Sequence, residues 1–165
     1  MRRAGFLDAF VAVGAPSADV TLWRAEPEVR LVRLVRAACA HGRLRPDGYG
    51  VMRLGQRDYG FFLEFDRGTV RPAPLRAKFA AYHRYLASAR AARDFDGPPS
   101  ILVVTAGPAA EDRVADAVLA AEVVQSRRLP LIVTTVDLLA AAQGGPFDAI
   151  WRVPGSQGGR HHWPL

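Results

Sequence analysis

Two uninterrupted apolar runs, Ile101-Leu-Val-Val-Thr105 and Leu131-Ile-Val-Thr-Thr135, constrain the fold of this chain more than any other feature. A strand with one wet face alternates apolar and polar residues, whereas an unbroken run belongs to a strand buried on both faces, as in the parallel part of a sheet. The stretch between them, from about Ala109 to Arg127, reads as a helix. Strand, helix and strand make a βαβ unit with a right-handed crossover.

The segment upstream reads differently. Tyr49–Leu54 and Tyr59–Phe65 are rich in strand formers, with Gly55-Gln-Arg-Asp58 as the loop between them. Turn chemistry flanks the pair, Arg45-Pro-Asp-Gly48 before it and Asp66-Arg-Gly-Thr69 after it, which predicts an antiparallel hairpin. Val20–Ala25 is a further strand. Glu28–Ala40 is ambiguous: Val29, Leu31, Leu34 and Val35 interleave with Arg30, Arg33 and Arg36, a pattern that suits a short basic helix better than a strand. Pro72 and Pro74 lead into a helix over 75–92, on which Leu75, Phe79, Tyr82, Leu86 and Ala89 recur at helical spacing. A short helix at Val136–Ala142 and a strand at Ala149–Val153 follow the second apolar run. The expected architecture is one α/β domain over residues 1–153, with a mixed central sheet and helices on both faces. Residues 154–165 read as a flexible C-terminal tail.

Phe6, Leu7, Phe10, Val11 and Val13 fit one face of an amphipathic helix stopped by Gly14. Met1-Arg2-Arg3 followed by apolar residues to Ala15 also has the outline of a signal peptide, interrupted by Asp8, and the helix is the favoured reading. The single cysteine, Cys39, lies in an apolar stretch and reads as a buried thiol in a reducing compartment. No uncharged apolar run reaches the roughly 18 residues of a membrane span. The expectation is a cytoplasmic protein without a membrane partner.

Apolar residues make up 50% of the 165 and charged residues 23%, a globular composition that excludes disordered and collagen-like chains. The formal charge is +6, with an isoelectric point near 10.4, which suits an anionic partner such as nucleic acid. Of the 22 basic residues 21 are Arg and one is Lys78, so a compositional bias toward Arg explains the charge equally well.

Three of the few acids fall where the hairpin strands meet. Asp47 opens one strand; Glu64 and Asp66 end the other and, at i and i+2, share a face. In a hairpin all three reach one rim. Crowded carboxylates call for a neutralising cation, and Mg²⁺ is the natural choice, polarising a phosphodiester and supplying hydroxide. Lys78, about one turn into the next helix with Tyr82 at i+4, is placed to stabilise a phosphate there. Each residue also has an ordinary reading: Asp47 and Asp66 as turn residues, Lys78 as a solvated helix residue. His161-His162 lacks an acid or Cys at ligand spacing, and neither a Gly-x-Ser-x-Gly elbow nor a Gly-rich Lys-Ser/Thr phosphate loop is present.

The string Arg45-Pro-Asp-Gly, then Phe61-Phe-Leu-Glu-Phe-Asp-Arg-Gly-Thr69, then Leu75-Arg-Ala-Lys-Phe-Ala-Ala-Tyr82 resembles the replication-relaxation family of bacterial plasmid and mobile-element proteins. Leu22-Trp-Arg-Ala-Glu26 and Ile150-Trp151 fit the same pattern. The resemblance implies a PD-(D/E)xK restriction-endonuclease-like αβββαβ core and an association with DNA and with plasmid replication or mobilisation proteins. It implies Asp47, Glu64 and Lys78 as catalytic residues, and Asp47, Glu64 and Asp66 as Mg²⁺ ligands. The superfamily's usual lysine position, two residues after the strand acid, holds Asp66, so Lys78 would serve as a migrated lysine. The winged-helix module common at the family's N-terminus is not expected in this chain. Two functions follow: a Mg²⁺-dependent nuclease, or a non-catalytic DNA-binding or protein-interaction module on the same fold.

Overall fold

The computed structural model describes residues 24–25, 29–35, 44–54, 56–94 and 97–164. The expectations for the N-terminal segment, for Cys39 and for most of the strand at Val20–Ala25 lie outside them.

Six strands form one sheet in sequential order: β1 (Arg24–Ala25), β2 (Val29–Val35), β3 (Gly48–Leu54), β4 (Arg57–Asp66), β5 (Ser100–Thr105) and β6 (Leu131–Thr135). β1 to β4 pair antiparallel, while β4, β5 and β6 pair parallel, so the fold is α/β with a mixed sheet as expected. The parallel crossovers carry α1 (Pro72–Leu86) with the short α2 (Ala91–Asp94), and α3 (Pro108–Gln125); α4 (Val136–Ala141) follows β6.

Strand periodicity divides the core in two. Phe62, Ile101, Val103, Leu131 and Val133 face Leu75, Phe79 and Tyr82 of α1 and Val114 and Val118 of α3. Phe61, Leu63, Leu102, Val104 and Ile132 face the other way, onto Leu139 of α4, Ile150, Trp151 and Trp163. Helices thus lie on both faces, and β5 from Ile101 onward and all of β6 are buried, which is why these sequences are unbroken apolar runs.

Four expectations need correction. Residues 29–35 form a strand, not a basic helix: β2 pairs along β3, with a register shift between Leu31 and Arg33 that accommodates a three-residue apolar repeat on an extended backbone. The helix expected over 75–92 ends at Leu86, because the Ser88 hydroxyl donates to Tyr85 O at 2.6 Å and competes for a carbonyl the helix needs to continue. Ala149–Val153 makes isolated bridges, Val133 with Arg152 and Trp151 with His161, and Pro154 has no N–H to extend them. The segment after residue 153 is packed: Trp163 is 1% exposed, stacked on Phe147 and edge-on to Phe61. Arg160 adds a two-pronged pair with the buried Glu111 carboxylate, both contacts at 2.8 Å.

Candidate functional site

The hairpin register brings Asp47 beside Glu64. The β3–β4 ladder ends at Gly48 opposite Leu63, and Pro46 cannot continue it. The Asp47 carboxylate takes over as acceptor, its Oδ2 receiving the Phe65 N–H at 2.7 Å. One residue earlier on β4, Glu64 points to the α1 face and is 3% exposed.

α1 supplies both partners of that buried acid. Lys78 Nζ donates to Glu64 Oε2, and the Tyr82 hydroxyl donates to Oε1 at 2.5 Å. One turn of helix separates the two donors, so a single face of α1 clamps both oxygens. The Tyr82 ring is fixed in turn by Phe62, with centroids 5.4 Å apart, and Phe62 also meets Tyr85 at 5.6 Å.

Burial dominates the electrostatics. It pushes the Glu64 carboxyl up to about 7, against the opposing pull of Lys78 and the two hydrogen bonds, and the negative charge of Asp47 adds to the rise. Burial and the neighbouring acids hold the Tyr82 phenol well above its usual range, so it stays a neutral donor. Lys78 remains one-third exposed. A cleft of about 360 Å³ opens beside it, lined by Leu44, Arg45, Pro74, Ala77, Ala81 and Arg84, so two arginines share the cleft with the lysine.

Asp66 has a different setting. Its Oδ1 accepts the Gly68 N–H at 3.0 Å, while Oδ2 is buried with no hydrogen-bond partner among the described residues. Gly68 itself is required, with φ +75° and a would-be Cβ 2.8 Å from the Arg113 guanidinium that donates to its carbonyl. No group of three or more His, Cys, Asp or Glu among the described residues is arranged to hold a metal ion. Of the three acids expected at one rim, Asp47 and Glu64 lie side by side, and Asp66 accepts a hydrogen bond in the turn that follows. Arg45 and Arg84 escaped the sequence reading because isolated arginines carry no signal in a chain with 21 of them.

Fold and site together define an α/β domain with a mixed sheet and a buried acid–lysine–tyrosine cluster beneath its first crossover helix. The chain belongs to the replication-relaxation family, whose model matches residues 3–98. Asp47, Glu64, Lys78 and Tyr82 all fall inside that match. Comparisons with curated proteins and with solved structures returned no match. No helix among the described residues is long and apolar enough to cross a membrane.

Proposed function

We propose that this domain acts on DNA as a divalent-metal-dependent phosphodiesterase of nuclease-like PD-(D/E)xK type, with Asp47, Glu64 and Lys78 as its working residues. The observation that carries this reading is the delivery of Lys78, the only lysine, to the carboxylate of Glu64 beside Asp47. An Arg would serve equally for a plain surface ion pair; a lysine gives a compact point charge with a movable proton.

Asp47 and Glu64 are the residues that would hold a hard cation. They supply the one or two carboxylates that Mg²⁺ takes alongside water and phosphate oxygens. When bound, the ion would polarise the phosphodiester and lower the pKa of a water. Glu64, with a pKa near 7, is poised to lose its proton as a cation arrives. Lys78 holds positive charge next to the phosphate, and Tyr82 keeps Glu64 in place from the opposite side. Arg45 and Arg84 flank the cleft and suit flanking backbone phosphates. Plasmid replication or mobilisation proteins are the partners that family membership favours.

A second reading, a DNA-binding module without turnover, is favoured by the near-complete burial of Glu64 and by the use of Asp47 Oδ2 as a ladder acceptor. Plasmid cleavage with Mg²⁺, assayed beside duplex binding, separates the two. Cleavage lost on Glu64→Gln while binding persists supports the enzyme, and salt-dependent binding with no cleavage supports the module.

A further inference from the structure

A second cavity lies at the opposite end of the parallel strands. Pro98 and Pro99 precede β5, and Leu129 and Pro130 precede β6, whereas Glu64 and Asp66 lie toward the far end of β4, which runs parallel to both. These residues, with Leu86, His83, Arg127 and Arg128, enclose about 370 Å³, a size usual for small-ligand sites.

Its polar groups are unusual. His83 is 4% exposed, and its Nε2 is buried with no hydrogen-bond partner among the described residues. A buried polar atom is normally satisfied; Nε2 is closed off from the cavity that its residue lines, so a turn of the ring would be needed to present it there. Arg127 and Arg128 line the same cavity, are exposed, and form no ion pair among the described residues. The charge of Glu122 acts on His83, and its Oε1 accepts the Leu129 N–H at 2.8 Å.

We propose that this cavity binds a phosphomonoester of nucleotide size, with Arg127 and Arg128 holding the phosphate, His83 turning its ring to add a hydrogen bond, and the proline and leucine walls covering the apolar body. One guanidinium fork matches the two oxygens of a carboxylate. Two forks and an imidazole match the three terminal oxygens of a phosphomonoester. Burial and Arg127 lower the His83 pKa, so its ring is neutral at pH 7 and adds no charge of its own.

The site does not depend on the acid–lysine cluster, and the test keeps them apart. The full chain is titrated with thymidine 5′-monophosphate, thymidine, and a short oligonucleotide with or without a 5′-phosphate, followed by calorimetry and by NMR of the His83 ring. The phosphorylated member of each pair should bind at least about tenfold tighter, shift the His83 resonances, and lose about tenfold on Arg127→Ala/Arg128→Ala. Tighter binding of the mononucleotide assigns the site to a free nucleotide, and tighter binding of the phosphorylated oligonucleotide to a DNA end; both carry the proposed chemistry. Equal binding of phosphorylated and unphosphorylated ligands, or binding untouched by the double substitution, overturns the proposal. Both arginines are exposed, so that variant is expected to fold.

Discussion

Lys78 meets Glu64 from a different element, fourteen residues further along the chain, and donates to one oxygen while Tyr82 occupies the other. The carboxylate is thereby held between strand and helix with its charge only partly compensated. Its pKa near 7 reflects that balance, burial outweighing the attraction of the lysine.

Removing the lysine shifts that balance in a known direction. Lys78→Met takes away both its charge and its hydrogen bond, each of which lowers the Glu64 pKa, so Glu64 should titrate above 7 in the variant. Carbon-detected NMR of the Glu64 carboxyl measures this, and an unchanged midpoint would remove Lys78 from the site's electrostatics. Any metal-dependent cleavage should fall by roughly 10² in the same variant.

Stability should carry the same signature. Folded Glu64 keeps its proton up to about pH 7, whereas the unfolded chain releases it near 4.5. The native state therefore binds more protons across that window, and the stabilisation present below pH 4.5 is lost as pH rises toward 7. The shift corresponds to about 3 kcal/mol. Urea denaturation at pH 4.5 and pH 8 should show wild type losing this much relative to Glu64→Gln. His83, whose pKa is lowered, contributes stability that is lost as pH falls below its unfolded value of 6.5, and this common contribution cancels in the difference. Parallel pH profiles for the two proteins would contradict the buried-acid assignment.

The C-terminal segment should behave as core. Trp163→Ala removes a ring that is 1% exposed between Phe61 and Phe147 and should destabilise the domain by about 3–5 kcal/mol in chemical denaturation. A change below about 0.5 kcal/mol, the range of ordinary surface substitutions, would show the segment to be loose.

Arg160→Met leaves the Glu111 carboxylate, 3% exposed, without its pair. The expected loss is about 2–3 kcal/mol, below that of a fully buried pair because the arginine is 31% exposed. Adding Glu111→Leu should recover part of the loss, since two apolar groups replace an unpaired charge. Strict additivity in this double-mutant cycle would show that the pair is uncoupled.

These residues also show what the chain discloses before folding. The parallel strands are legible because burial on both faces forbids polar residues across Ile101–Thr105 and Leu131–Thr135. The meeting of Asp47 with Glu64 follows from hairpin register, and the approach of Lys78 and Tyr82 from helical spacing, both short-range relations. β2 is illegible because its sequence repeats Arg every third residue, a period that suits a helix, while its pairing with β3 makes it a strand with a register shift. The packing of the tail depends on partners far away in sequence: Arg160 finds Glu111 across 49 residues, and no local pattern encodes that. The His83 cavity is hidden for the same reason, since two helices and two loops, separate in sequence, enclose it.

Nicking of supercoiled plasmid by the full chain in Mg²⁺ tests the central claim most directly, with DNA binding and thermal stability measured alongside. Wild type should nick the plasmid, chelation should stop it, and Asp47→Asn and Glu64→Gln should each reduce the rate by roughly 10² or more with the fold intact. No nicking with Mg²⁺ or Mn²⁺, or nicking undiminished by Glu64→Gln, would contradict a catalytic role for the Asp47–Glu64–Lys78 cluster.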